Sequence, residues 1–137
     1  MGKLLALDIG TKRVGYAVAD EANGFAFPRT VIAKTPTAKF VEDLKKIVRE
    51  EGICKIIIGL PLDAENEEGG NAKRIRKFGE NLACNLMLPI EYVDEFGSTD
   101  EALAKIPFRG DRGRNKDFRD AISAQIILQR YLDNKKI

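Results

Sequence analysis

Hydrophobic residues follow two different periods along this chain, and the early period is that of strands. Short apolar or loosely alternating segments occupy residues 3–8, 13–19 and 25–33. Turn residues separate them, at Gly10 and at Asn23-Gly24, so the pattern predicts three strands joined as hairpins. Pro28 lies within the third segment. Because proline has no backbone N–H, we expect that strand at an edge of the sheet.

The helical period begins after the third strand. Residues 37–51 carry apolar side chains three and four positions apart and end at Gly52, which predicts a first helix. The same spacing predicts helices over 72–86 and 118–133. The stripe expected to face inward in the second helix is Ile75, Phe78, Leu82 and Leu86, and in the last helix it is Ala121, Ala124, Leu128 and Tyr131.

Two further apolar segments fall between the helices. Residues 53–59 are nearly all apolar, as in a strand buried on both faces, and residues 90–95 predict a fifth strand. Ser98 and Glu101 have the spacing of a capping box, which predicts a short helix there. The order of elements indicates one α/β domain over residues 1–137. Its mixed five-stranded sheet has three antiparallel strands, then two parallel crossover strands, and is flanked by helices.

Composition excludes several kinds of chemistry. The 137 residues include no histidine and two cysteines, which argues against a zinc site and against a Ser-His-Asp mechanism. Cys54 and Cys84 form no CxxC pair, and we expect both to be buried, reduced thiols. Net charge is 23 minus 21, or +2, so only a local basic cluster could indicate nucleic acid. No stretch resembles a signal peptide or a membrane span, so we expect a cytoplasmic protein.

Acidic residues stand where a sheet and a helix would not require them. Asp8 ends the first strand on the face of Leu4 and Ala6, although it could instead accept hydrogen bonds from the following turn. Asp94 and Glu95 end the fifth strand and should point to opposite faces. Asp120 begins the last helix, where an acid could also complement the helix dipole.

Carboxylates that converge from these positions would repel one another unless a cation neutralised them. Oxygen ligands without His or Cys select hard ions, so the pattern predicts a Mg²⁺ or Mn²⁺ site. Such an ion can activate water and polarise a phosphoryl oxygen. Basic residues near these acids are candidates for contact with nucleic acid, with a solvated charged surface as the alternative. They are Lys12, Arg13, Arg109, Arg112, Arg114 and Lys116.

Four segments together resemble the YqgF/RuvX family, and they span nearly the whole chain. They read LLALDIGTKRVGYAVAD, IIIGLPLDAENEEGGNAKRIRKF, VDE and RDAISAQIILQRYLD. The resemblance implies an RNase H-like fold, a cytoplasmic location and three metal-binding acids, Asp8, Glu95 and Asp120, with Asp94 as the alternate. It also implies a nuclease that matures the 5′ end of pre-16S rRNA or, through similarity to RuvC, a Holliday junction resolvase.

One position departs from the family pattern. Relatives usually continue the strand-five acids with arginine, as in DERLTT, whereas this chain has Phe96. If that arginine contacts phosphate in relatives, Arg112 or Arg114 would have to supply the charge here. We expect RNA rather than a DNA junction as the partner, and a monomer or weak homodimer. A nucleotide-binding module, indicated by the Asp8-to-Thr11 loop, and a non-catalytic nucleic-acid-binding protein remain as alternatives.

Overall fold

A computed structural model describes residues 2–61, 69–94 and 116–134 of the chain. The elements are β1 Lys3–Ile9, β2 Arg13–Asp20, β3 Phe25–Ala33, α1 Thr37–Glu51, β4 Ile53–Leu60, α2 Gly70–Leu86, β5 Ile90–Asp94 and α3 Lys116–Asn134. The predicted short helix at Ser98 lies outside the described residues. So does most of the basic loop, which is the charged segment predicted as a loop over residues 105–119. No helix in the described segments is long and apolar enough to cross a bilayer.

The five strands form one mixed sheet in the order β3-β2-β1-β4-β5. β1 pairs antiparallel with β2, which pairs antiparallel with β3. β4 pairs parallel with β1 and with β5. The predicted sheet of three antiparallel and two parallel strands is therefore confirmed, and β3, the strand that contains Pro28, lies at an edge as expected.

Both faces of the sheet are covered, and β1 shows how its residues divide between them. Leu5, Leu7 and Ile9 belong to a core that includes the buried residues of α1 and α2. Leu4 and Ala6 belong to a second core with the buried residues of α3. Because side chains alternate along a strand, odd positions of β1 face α1 and α2, and even positions face α3.

The helices bury the stripes that their spacing predicted. Phe40 and Leu44 are fully buried in α1, whose C-terminal cap is Gly52 with a left-handed φ of 70°. Ile75 and Leu82 are buried in α2, with Phe78 and Leu86 partly so. All four predicted inward positions of α3 are buried. Full burial of one Leu, Ile or Phe side chain contributes about 1.5–3 kcal/mol, so these stripes hold the helices on the sheet.

Side chains of α3 also protect the free edge of the sheet. The amide oxygen of Gln129 accepts a hydrogen bond from the backbone N–H of Ala26 in β3 at 3.0 Å. The amide of Gln125 donates to the carbonyl of the same residue at 3.1 Å. An edge strand with unpaired backbone groups can recruit another chain, so these two glutamines reduce that risk locally.

A polar cluster ties α3 to β4 and β5, the two strands farthest from the β3 edge. Lys55 in β4 donates to Glu91 in β5 at 2.6 Å and to the hydroxyl of Tyr131 in α3 at 2.9 Å. The Tyr131 hydroxyl in turn donates to Glu91 at 3.0 Å. These hydrogen bonds, chiefly the one to Glu91, raise the pKa of Lys55 above its usual value of 10.5.

The prediction that both cysteines are buried is wrong. Cys54 and Cys84 are free thiols, and both are exposed. Cys54 is skipped where the β1–β4 register shifts, because Lys3 pairs with Ile53 and the next residue of β1 pairs with Lys55. Cys84 comes two positions after buried Leu82, which places it on the outer side of α2.

A candidate metal site at the carboxyl end of β1

Asp8 lies near the carboxyl end of β1, where the turn to β2 begins. It is the next even position after Leu4 and Ala6, which pack against α3. The prediction that Asp8 shares their face therefore holds, and its carboxylate belongs to the α3 side of the sheet. The side chain is half-buried, so it keeps access to solvent or to a ligand.

Gly15 brings Asp8 close to Asp120. It is the direct cross-strand partner of Asp8 in the antiparallel β1–β2 pair. A Cβ built on Gly15 would overlap the backbone carbonyl of Asp120 and lie 3.0 Å from the Asp120 Cβ. The start of α3 therefore rests directly on the strand residue beside Asp8, and no larger side chain fits between them.

This packing sets the separation of the two acids. Directly opposed residues on antiparallel strands have Cβ positions about 5 Å apart. The Asp120 Cβ is 3.0 Å from the corresponding position on Gly15. Oxygen–Mg²⁺ distances are about 2 Å, so two Asp side chains at this spacing can reach one ion. Asp8 and Asp120 thus lie on neighbouring parts of one face of the sheet, and their role as ligands of one ion stays a prediction.

The helix that carries Asp120 begins earlier than predicted. α3 starts at Lys116, so Asp120 is its fifth residue and Asp117 is the acid of the first turn. The helix dipole acts mainly over that first turn, which makes Asp117 the better partner for it. Complementing the dipole is therefore a weaker explanation for Asp120 than the sequence suggested.

Arg13 lies beside the two acids near the start of α3, Asp117 and Asp120. Its Nη1 forms an ion pair with Asp117 at 2.8 Å, and its Nε is 3.9 Å from the Asp120 carboxylate. Arg13 is two positions from Gly15 on the same strand, so it belongs to the α3 face. Its charge is already shared with these carboxylates, which makes it less available to a phosphate than the sequence implied.

Asp94 lies on the other face of the sheet. It pairs with Leu60, which belongs to the α1–α2 core, and it follows Val93, which packs against the α3 core. By alternation Asp94 points away from the Asp8 side. Arg130 of α3 donates to the Asp94 carbonyl at 2.7 Å and so fixes the end of β5. Glu95 is the next residue, and it lies outside the described residues.

The donor set suits a hard divalent cation. Asp8 and Asp120 offer carboxylate oxygens, and the chain has no histidine that would favour zinc. Within residues 2–61, 69–94 and 116–134, no three His, Cys, Asp or Glu side chains form a metal-binding group. A third carboxylate would have to come from another part of the chain, and Glu95 has the required position in the sequence.

A cavity of about 320 Å³ opens beside these acids. Its lining among the described residues is Gly10, Thr11, Lys12, Arg13 and Asp120. Lys12 and Arg13 were both predicted to contact nucleic acid, and both line this cavity. Lys116 begins α3, while Arg109, Arg112 and Arg114 lie outside the described residues, so their predicted contacts stay predictions.

Two residues that shape this site, Gly15 and Arg130, were not among the residues that the sequence singled out. Gly15 lies in the middle of a strand, and a glycine there often marks a close approach of another backbone. The sequence alone could therefore have indicated a close contact at Gly15. Arg130 was not recognisable, because a basic residue in the last third of an amphipathic helix is usually solvated. Its bond to the Asp94 carbonyl appears only once α3 is docked.

A mixed sheet with this strand order, flanked by helices, and with acids at the carboxyl end of its first strand and in its last helix, is the RNase H-like fold of nucleases and resolvases. Solved structures share it. The Fowlpox virus resolvase bound to Holliday junction DNA matches with a TM-score of 0.60 at 12% identity, covering 98% of this chain and 99% of that one. Thermus thermophilus RuvC with its junction substrate matches with a TM-score of 0.57 at 11% identity, covering 98% and 96%.

Sequence similarity then identifies the family. The chain belongs to the RuvX family, described as "Holliday junction resolvase", whose model matches residues 2–134. Its curated relatives are named "Putative pre-16S rRNA nuclease". The one from Maridesulfovibrio salexigens is 37% identical over 132 residues, 95% of this chain and 97% of the relative. The one from Cereibacter sphaeroides is 40% identical over 136 residues, 96% of this chain and 83% of the relative.

Proposed function

We propose that this chain is a nuclease that depends on Mg²⁺ or Mn²⁺ and hydrolyses phosphodiester bonds at the 5′ end of pre-16S rRNA. The observation that carries the proposal is the close packing of Asp120 on Gly15, the strand partner of Asp8. Two carboxylates held side by side without a histidine are typical of sites for hard cations. The names of the curated relatives support the substrate.

In the proposed mechanism Asp8, Asp120 and Glu95 hold the ion. When bound, the ion would supply Lewis acidity toward a phosphoryl oxygen and a more acidic water. The chain itself contributes position. β1 fixes Asp8, the contact at Gly15 fixes Asp120, and Arg130 fixes the end of β5 immediately before Glu95. Misplacement of such groups by about 1 Å can cost roughly 100-fold in rate, so this support matters.

Substitution of the paired acids tests the proposal. Asp8→Asn and Asp120→Asn keep side-chain size but remove the charge that binds the ion. We expect each to lower the cleavage rate of a pre-16S rRNA 5′ fragment by at least about 1000-fold, in line with other losses of key catalytic groups. Cleavage is measured with Mg²⁺, with Mn²⁺ and with EDTA. Unchanged cleavage by Asp8→Asn would refute the site.

Asp94→Asn and Glu95→Gln form a matched pair for the third ligand. Asp94 lies on the face opposite Asp8, so its variant should cleave at close to the parental rate. Glu95→Gln should be as impaired as Asp8→Asn. The reverse result would exchange the two assignments and would contradict the alternation of faces along β5.

A four-way DNA junction, run beside the RNA, tests the resolvase alternative. Resolvases cut two strands symmetrically and therefore need a two-fold dimer. We expect this chain to act as a single domain in the cytoplasm, as a monomer or weak homodimer, and to prefer RNA. Cleavage confined to the junction would replace the rRNA substrate with a DNA one while leaving the metal site intact.

A further inference from the structure

A second cavity lies on the opposite side of the β1–β2 turn from the acids. It has a volume of about 190 Å³ and opens toward the α1–α2 face of the sheet. Its polar lining comes from Thr11, Lys34, Asn71 and Arg74, and Phe78 contributes an apolar wall. No carboxylate is among the described residues that line it. The proposed nuclease mechanism uses none of these side chains.

Neutral partners hold the two cations of this cavity in place. The Lys34 ammonium donates to the Gly10 carbonyl at 3.1 Å and lies 5.0 Å from the centre of the Phe78 ring. The Arg74 guanidinium donates to the Asn71 side-chain oxygen at 2.6 Å. Within the described segments neither cation forms an ion pair with a carboxylate, unlike Arg13 in the acidic cavity.

Two oriented positive charges with neutral supports make a site for an anion. The like charges repel each other, and a bound anion would remove that cost. Arginine presents several N–H groups in a fixed plane that matches phosphate oxygens, and lysine adds a point charge. The volume of about 190 Å³ is below the roughly 300 Å³ of ordinary small-molecule sites, so it suits a single phosphate group.

The position of the cavity indicates where that phosphate comes from. Gly10 and Thr11 line both this cavity and the one that contains Asp120. The two cavities are therefore separated only by the β1–β2 turn. A polynucleotide strand that lies across the turn would present one phosphate to the acids and a nearby phosphate to Lys34 and Arg74.

We infer that Lys34 and Arg74 form a second phosphate-binding site, which holds the substrate strand by a phosphodiester next to the bond that is cut. The inference rests on the proposed nuclease function for its choice of ligand. The site adds affinity and register without taking part in bond cleavage, because contacts to phosphate position a strand whatever its sequence.

The test is a binding measurement on an uncut strand. Fluorescence anisotropy of a labelled single-stranded RNA is recorded in EDTA over a series of KCl concentrations, for the parent and for Lys34→Gln/Arg74→Gln. Loss of one phosphate contact should weaken binding about tenfold and lower the salt slope by about 0.7. Equal affinity and equal slope for parent and variant would overturn the inference.

A control variant makes the same change in charge on α2, the helix that carries Arg74. Lys73→Gln/Lys77→Gln removes two exposed charges of α2 that do not line the cavity. It should leave the binding of the RNA within about twofold of the parent. A control that loses as much as the test variant would mean that general charge, not the cavity, attracts the strand.

Two further measurements test whether the variant is folded and whether the cavity prefers a strand to a small phosphate. Lys34→Arg/Arg74→Lys retains both charges, and recovery of at least part of the RNA affinity would exclude simple unfolding as the cause. Inorganic phosphate and mononucleotides are titrated as competitors. If they occupy the cavity while RNA binding is insensitive to Lys34→Gln/Arg74→Gln, the cavity binds small phosphates and the proposal for a strand is wrong.

The outcome separates this inference from the nuclease proposal. Binding is measured without metal and without cleavage, so a chain that never cleaves RNA can still lose affinity in Lys34→Gln/Arg74→Gln. A chain that cleaves RNA through Asp8 and Asp120 but binds equally well without these cations would refute the second site alone.

Discussion

At the scale of single residues, the acidic pair depends on a glycine as much as on the acids. Gly15 supplies no ligand, yet its missing Cβ is what allows the Asp120 backbone to reach the strand beside Asp8. Gly79 plays a comparable role on the opposite face, where a Cβ would collide with the Tyr92 hydroxyl and lie 3.2 Å from the Ile58 Cδ1. The two glycines therefore make a natural comparison.

Gly15→Ala should damage stability and cleavage together. The added methyl forces the start of α3 away from β2, and overpacking of this kind costs about 1–3 kcal/mol in the free energy of unfolding. Because Asp120 moves with the helix, we expect cleavage of the rRNA fragment to fall about 100-fold under conditions where the variant is folded. Urea unfolding and single-turnover cleavage measure the two effects.

Gly79→Ala is the control for that experiment. It overpacks α2 against Tyr92, although alanine's better helix propensity returns about 1 kcal/mol. Stability should fall modestly while cleavage by the folded variant stays near the parental rate, since α2 carries none of the proposed metal ligands. Equal activity losses in both variants would show that cleavage follows stability and not the position of Asp120.

For single residues, the sequence predicted those features that depend only on the local alternation of apolar and polar positions. The placement of Asp8 on the face of Leu4 and Ala6 needs only the two-residue period of a strand, and it is correct. The exposure of Cys54 could not be predicted, because it depends on a shift in register between β1 and β4 that the two segments do not reveal separately. The close contact of Asp120 with Gly15 joins residues about 100 positions apart, and only docking of the helix creates it.

At the scale of elements, α3 is the helix that assembles the site. It packs on β1, β2 and β3. Its glutamines bond to the β3 edge of the sheet, and its Tyr131 joins Lys55 and Glu91 on β4 and β5. Its amphipathic pattern predicted that it would be a helix and which side is buried. The pattern did not predict its earlier start at Lys116, because the preceding charged residues give no apolar signal.

Lys55 makes the attachment of α3 sensitive to alkaline pH. Its hydrogen bonds raise its pKa above 10.5 in the folded protein, so its stabilising effect is fully present below pH 10.5 and is lost as pH rises through the higher folded value. Lys55→Gln should lower the free energy of unfolding at pH 7 by about 1 kcal/mol, a modest value because Glu91 is half exposed.

The measurement is urea unfolding of parent and Lys55→Gln from pH 7 to above pH 10.5. The difference in free energy of unfolding between parent and variant should be constant up to about pH 10.5 and should shrink at higher pH. Lys39→Gln serves as the comparison, because Lys39 forms an exposed pair with Asp43 within one helix and should cost at most a few tenths of a kcal/mol. If the loss of unfolding free energy in Lys55→Gln grew with pH, that result would contradict the assigned hydrogen bonds.

At the scale of the whole molecule, charge is distributed unevenly although the net charge is only +2. Acids meet on one side of the β1–β2 turn, and Lys34 and Arg74 lie on the other. The fold could be predicted from the order of elements, since few topologies satisfy three hairpin strands followed by two crossovers. The division of charge could not, because it depends on which helix covers which face.

The basic loop gives a prediction for the molecule as a whole. Arg112→Ala/Arg114→Ala removes two charges from the segment that precedes α3. If each contacts a phosphate, RNA binding should weaken and the salt slope should fall by about 1.4. Anisotropy in EDTA over a KCl series measures this, and an unchanged slope would assign the loop to ordinary solvated surface.

The contact of α3 with Gly15 also has a consequence for the order in which the protein becomes active. Every strand that α3 covers precedes it in the sequence, so the ribosome releases the sheet first and Asp120 later. Until the helix arrives, the proposed metal site lacks Asp120. For a nuclease directed at rRNA, as proposed, the metal site would therefore stay incomplete until α3 has been translated and has docked on the sheet.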